Sequence, residues 1–195
     1  MKGTAKLFLA ALFLVPAMPI AAEEVEPESN YQIVTHLSAQ DALKKIFPRA
    51  DEILETKISL DPDQAKKVEA RVGHPLAQSD YTIYVGKQKG TMLGYAMVDE
   101  EIGKYRPITS MIGVSPQGKV LGVAIMVYRE SRGGEVARRR FLAQYEGKTS
   151  CDPIRVRQDI IAISGATLSV NAVSAEVRKA LAVVEEVFLK GSSNR

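Results

Sequence analysis

The sequence predicts an α+β fold: an antiparallel sheet laid down as a meander, with helices packed on it. Three observations lead there. From Tyr81 to Tyr128, apolar residues alternate with polar ones or run in short unbroken stretches between turn formers, as strands do. On either side of that region apolar residues recur every three or four positions, the period of helices. The connections within the strand region, Lys87 to Gly90 and Ser115-Pro116-Gln117-Gly118, are turn-like and favour antiparallel neighbours.

With 195 residues, 46% hydrophobic and 25% charged, the chain has the composition of a globular protein with one substantial core, not of a disordered one. Its formal charge of +3 is no nucleic-acid footprint, so no nucleic acid is expected as a partner. The single cysteine, Cys151, excludes an internal disulfide and a multi-cysteine metal site and reads as a structural thiol. His36 and His74 are too far apart in sequence to suggest zinc.

In chain order, residues 1–22 read as a signal peptide. Lys2 and Lys6 precede the apolar run from Leu7 to Val15, and small residues precede Glu23. An uncleaved membrane anchor over residues 7–22 is the alternative, although the apolar run is short for a bilayer span. Residues 23–80 are expected to form an N-terminal helical region behind an acidic leader. Ser38 and Asp41 open one helix, which Pro48 stops; Asp61-Pro62 opens another, with Val68 and Val72 inward and Gly73 at its end. His74 is then a loop residue.

Residues 81–190 are expected to form the principal domain. Its strands are Tyr81 to Val85, Thr91 to Val98, Ile108 to Val114 and Lys119 to Tyr128. The last is so uniformly apolar that both its faces should be covered. A charged, glycine-containing loop follows, Glu130-Ser131-Arg132-Gly133-Gly134-Glu135, and then a helix with Ala137, Phe141 and Tyr145 inward. Its consecutive Arg138, Arg139 and Arg140 cannot share one face; they read as a solvated surface that can dock an acidic partner. Residues 154–163 are expected to return as a strand. They deliver the chain to the turn Ser164-Gly165-Ala166-Thr167-Leu168-Ser169 and to a long amphipathic helix carrying Val170, Val173, Val177, Leu181, Val184 and Phe188. Thr167 or Ser169 is expected to cap that helix, whose positive dipole end favours an anion at the turn.

Ser-Gly-Ala-Thr-x-Ser resembles the flavinylation motif of the FMN-binding domain family, which includes flavin-carrying subunits of Rnf-type complexes and sodium-translocating NADH:quinone reductases. The resemblance covers roughly residues 90–188. It implies that 81–190 is an FMN-binding domain and that a flavin transferase esterifies Thr167 to the FMN phosphate. Ser164, Gly165, Ala166 and Ser169 then shape the attachment turn. Ile161 stands where the usual motif has an acidic residue, with Asp159 two positions earlier. The loop after the central strand is also similar to the family's, which carries over Glu130, Ser131, Gly133 and Gly134 as candidate pocket residues. The implied function is that of an electron-transfer flavoprotein, which the signal peptide would place in the periplasm or otherwise outside the cytoplasm. It would have no catalytic residues of its own and would serve redox partner proteins, a membrane electron-transfer complex or a cytochrome among them. The alternatives are a small flavin-dependent reductase and an exported binding module without a cofactor.

Overall fold

The computed structural model describes residues 34–190. The leader 1–22, the acidic segment that follows it and the tail from Gly191 lie outside the described residues. Six strands form one antiparallel sheet: β1 Val34–Thr35, β2 Glu52–Ser59, β3 Asp80–Gln88, β4 Thr91–Ile102, β5 Pro107–Val114 and β6 Val120–Tyr128. Their order is β1-β6-β5-β4-β3-β2. From β2 to β6 each strand pairs with its successor, the expected meander. β1 sits at the other edge and, among the described residues, pairs Val34 with Tyr128 and Thr35 with Val127.

The N-terminal region, read as helical, thus also supplies two strands. β2 pairs with β3 along its whole length, from Glu52 opposite Lys87 to Ser59 opposite Asp80. Nearly all its residues are exposed, so no buried face imposes the apolar alternation by which a strand is recognised.

Both N-terminal helices form where their caps predict. α1, Ala39–Ile46, starts at Ser38, whose hydroxyl accepts Asp41 N at 3.1 Å. α2, Pro62–Val72, starts at Asp61 in a reciprocal capping box with Gln64 and ends at Gly73, φ 98°. α1 crosses one face of the sheet. Bare backbone at Gly86 and Gly113 lets its end lie flat there, because a Cβ at Gly86 would stand 2.7 Å from the Phe47 ring and one at Gly113 would overlap Ile46. Ile46 and Phe47 close a small core with Ala42, Met111 and Ala124.

The larger core is on the opposite face, beneath α2 and α4, Thr167–Val184. The inward positions Val170, Val173, Val177, Leu181 and Val184 are buried as predicted; full burial of such a side chain is worth about 1.5–3 kcal/mol. α4 is nevertheless not amphipathic in the expected sense. Ser174, Glu176 and Lys179 are buried as well, because α4 packs on α2 and on β4 and β5 at once. A π-helical turn, Glu185–Leu189, then stacks Phe188 on Tyr95 with centroids 4.5 Å apart.

Two expected elements differ. The helix after the glycine loop is broken into a 3-10 turn at Gly134–Ala137, a single α-turn α3 at Arg139–Leu142 and another 3-10 turn at Ala143–Tyr145. The break falls at Arg138, whose backbone is extended (φ −70°, ψ 135°). Phe141 and Tyr145 still meet edge to face at 5.9 Å.

Residues 154–163 form no strand. Asp159 folds them into a turn: Oδ1 accepts Arg155 N at 2.9 Å, while Oδ2 accepts Ile154 N at 3.1 Å and Lys148 Nζ at 2.8 Å. Ile154 and Arg157 take positive φ, 48° and 65°, which no strand accommodates. Burial acts to raise the Asp159 carboxyl, but Lys148 and the two amides outweigh it and hold it below the usual carboxylate range. Cys151, in the preceding turn, is exposed and therefore not a buried structural thiol.

Candidate cofactor site

The Ser-Gly-Ala-Thr turn stands where the 149–163 segment meets α4. Gly165 adopts φ 78°, in the left-handed region, and Ala166 N donates to Ile163 O at 3.0 Å, closing the turn. Ala166 is buried and anchors it; Ser164, Gly165 and Thr167 are exposed. α4 therefore begins with Thr167 at the surface.

The expected side-chain cap is missing. The N-cap position is Ala166, and no side chain bonds to the first amides of α4. Ser169 is turned inward, its hydroxyl 2.9 Å from that of Tyr128 at the end of β6. Tyr128 Oη donates in turn to Arg132 O at 2.5 Å. An uncapped helix start with free N–H groups and the positive end of the dipole is an anion-binding arrangement.

This tyrosine also joins the two stretches that the sequence singled out. A Cβ on Gly133 (φ 87°) would come within 2.7 Å of Tyr128 Oη and 2.9 Å of Ala166 Cβ, so the glycine loop lies directly against the Ser-Gly-Ala-Thr turn. Gly134 opens the following 3-10 turn, and Ser131 is exposed. Glu130 faces elsewhere. It is buried, and Oε1 accepts Tyr105 N at 2.7 Å and Arg106 N at 3.0 Å, tying the β4–β5 turn to the end of β6.

Beside the turn, an open cleft of ≈ 340 Å³ is lined by Phe141, Ile161, Ala162 and Ile163, together with Arg140, Arg138 and the Glu135 that pairs with Arg138 at 3.9 Å. Ile161 is 80% exposed, and Gln144 Oε1 fixes its N–H at 2.8 Å. Sequence reasoning misses Tyr128, Gln144 and the cleft, since each depends on bringing distant segments together. The one sign within the sequence is Ile161, an apolar residue where the motif usually carries an acid. The site combines an uncapped helix start, an exposed hydroxyl and an apolar shelf edged by two arginines and one glutamate, which suits an aromatic ring carrying a phosphate.

Fold and site thus define a domain that holds a phosphate-bearing aromatic cofactor. Residues 103–182 match the model of the FMN-binding domain, which makes that segment an FMN-binding domain with FMN as its cofactor. The fold is similar to that of NqrC from Shewanella oneidensis, with a TM-score of 0.53 and 16% identity over 78% of this chain and 88% of that one. The chain is also similar to the C component of the Na(+)-translocating NADH-quinone reductase of Parabacteroides distasonis, with a TM-score of 0.47 and 17% identity over 76% and 82% of the two chains. A search of curated proteins finds no match.

Proposed function

We propose that the chain is an exported electron-transfer flavoprotein that carries FMN as a phosphoester of Thr167 and passes electrons between redox partner proteins. The observation that carries this reading is the exposed Thr167 at the uncapped start of α4, beside the shelf of Phe141 and Ile161. When bound, FMN supplies one- and two-electron chemistry; the residues around it position and tune it. Amides of the first turn of α4, which no side chain caps, would hold the phosphate. With the ring on the shelf, Arg140 and Arg138, the latter paired with Glu135, would favour the added electrons of its reduced form.

A covalent link suits so open a site. A helix dipole contributes at most about 2 kcal/mol to a phosphate, whereas a nanomolar complex requires about 12 kcal/mol. An ester bond removes that requirement, and an open shelf leaves the ring within reach of a partner. The lysines, apolar run and small residues of 1–22 support export, with a mature chain beginning near Glu23. The likeness to NqrC agrees with redox partner proteins of the membrane electron-transfer kind, while maturation by a flavin transferase is what the Ser-Gly-Ala-Thr motif itself suggests.

The test is an intact mass after expression in a host with a flavin transferase, which reports leader removal and flavin addition together. Thr167→Ala should abolish flavin that survives denaturation while costing little stability, since Thr167 makes no cap bond. Ser164→Ala should keep covalent flavin. A Thr167→Ala protein that stays yellow after denaturation rules out the attachment site.

A further inference from the structure

β6 has an open stretch on its outer side. At one end β1 stops at Thr35, and His36 N and Leu37 N both donate to Met126 O at 2.9 and 3.3 Å before the chain turns into α1. At the other end Val120 exchanges two 2.8 Å backbone bonds with Gly147 and Lys148. Between them, among the described residues, no backbone bond reaches residues 121–125 from outside the β5–β6 ladder. Five residues of strand span about 17 Å.

This free edge lines a cleft of ≈ 480 Å³, walled by α1 through Lys45 and Ile46 and by α3 through Arg139 and Leu142. Exposed sheet edges are normally guarded by charge, proline or a cover. Leu121-Gly122-Val123-Ala124-Ile125 has neither charge nor proline, and Leu121 is 38% exposed. Lys45 and Arg139 outnumber Glu146 around the cleft, and none of the three is engaged in a salt bridge within the described residues. Walls on both sides suit one extended segment rather than the face of a second sheet.

We infer that β6 is a strand-addition site for a partner protein, which inserts an extended segment of apolar residues alternating with Asp or Glu. Main-chain bonds to 121–125 supply the affinity, and Lys45 and Arg139 select for acidic residues. The site lies on the other side of α3 from the shelf next to Thr167, a helix width of about 10 Å away. A strand added there would bring its owner close to the flavin, yet the inference rests on the sheet edge alone and stands without the flavin reading.

The probe is a synthetic peptide alternating valine and glutamate, seven residues long and capped at both ends, titrated into the full purified chain. Two controls accompany it, one N-methylated at alternate residues and one with lysine in place of glutamate. The acidic peptide should bind and slow amide exchange at 121–125. N-methylation should abolish binding, and Lys45→Glu with Arg139→Glu should weaken it roughly tenfold, the scale of two reversed rim charges. Both residues are exposed, and circular dichroism checks that the double variant folds. Absence of binding at millimolar peptide, or equal binding of the N-methylated peptide, overturns the inference. So does protection of 121–125 in the free chain that disappears on dilution or on deletion of residues 23–33, because the occupant would then be a second copy or the chain's own leader.

Discussion

Glu176 is the most consequential single residue outside the cofactor site. It is completely buried on α4, where Oε1 accepts Glu101 N at 3.2 Å and Oε2 meets the Ser110 hydroxyl. One turn on, Lys179 Nζ lies 2.8 Å from Asp99 and 2.6 Å from Glu101. Burial pushes the Glu176 carboxyl well above its usual range; Asp99 and Glu101 add to the rise, against Ser110 and Lys179. The folded state therefore keeps a proton that the unfolded chain releases near 4.5. Stability is fully present below that pH and falls as pH rises toward the folded value, with a slope of at most about 1.4 kcal/mol per pH unit. Glu176→Gln, neutral at every pH, should remove this slope. Urea denaturation at pH 5 and pH 8 should show the variant gaining on wild type at the higher pH; an equal difference at both would mean that Glu176 is ionised in the fold.

At the scale of elements, the segment from Gly134 to Tyr145 separates the shelf beside Thr167 from the cleft along β6. Arg138 and Arg140 border the first and Arg139 the second, which is how three consecutive arginines serve two surfaces. Arg139 and Arg140 are exposed, and among the described residues Arg138 pairs with Glu135 at 3.9 Å in a surface contact. Such pairs contribute about 0–1 kcal/mol. Replacing all three by Gln should leave the melting temperature nearly unchanged and flatten the salt dependence of electron transfer to an acidic partner, followed by stopped-flow. A large drop in melting temperature would assign at least one of them to the fold.

What is legible in the sequence at this scale follows from which signals are local. Caps at Ser38 and Asp61, the turn at Ser115 to Gly118 and the apolar period of α4 are written within a few residues of where they act, and the structure bears them out. β2 leaves no such sign because its side chains face water. The strand expected over 154–163 rests on an apolar run that serves another purpose: Ile154 and Ile160 are buried while Ile161 stands out on the shelf, and a carboxylate five residues from Ile154 dictates the backbone. The Ser-Gly-Ala-Thr turn is visible in its motif, but its contact with Gly133 through Tyr128 joins residues about 30 to 40 positions apart and has no local sign.

For the molecule as a whole, the question is whether residues 34–80 are an appendage or part of the unit that carries the cofactor, given that the family match begins at residue 103. The sheet answers through its pairing. β2 covers the edge of β3 over eight residues, α1 closes the core on one face with Ile46 and Phe47, and α2 packs against α4 on the other. Arg178 of α4 also reaches across, donating to Val72 O at 3.2 Å and to Ile154 O at 2.7 Å, so one guanidinium ties the N-terminal helix to the loop that leads to the attachment turn. Without residues 34–80, buried β3 and β4 residues such as Ala96 and Val85 would meet water, and Arg178 would lose a partner. Exposing several side chains at about 1.5–3 kcal/mol each consumes the 5–15 kcal/mol by which a domain is usually stable. A chain beginning at residue 81 should therefore fail to fold, whereas one beginning at residue 23 should unfold in a single cooperative transition followed alike by circular dichroism and tyrosine fluorescence. If the chain from residue 81 folds and accepts flavin, the N-terminal strands and helices are an addition to a self-sufficient domain.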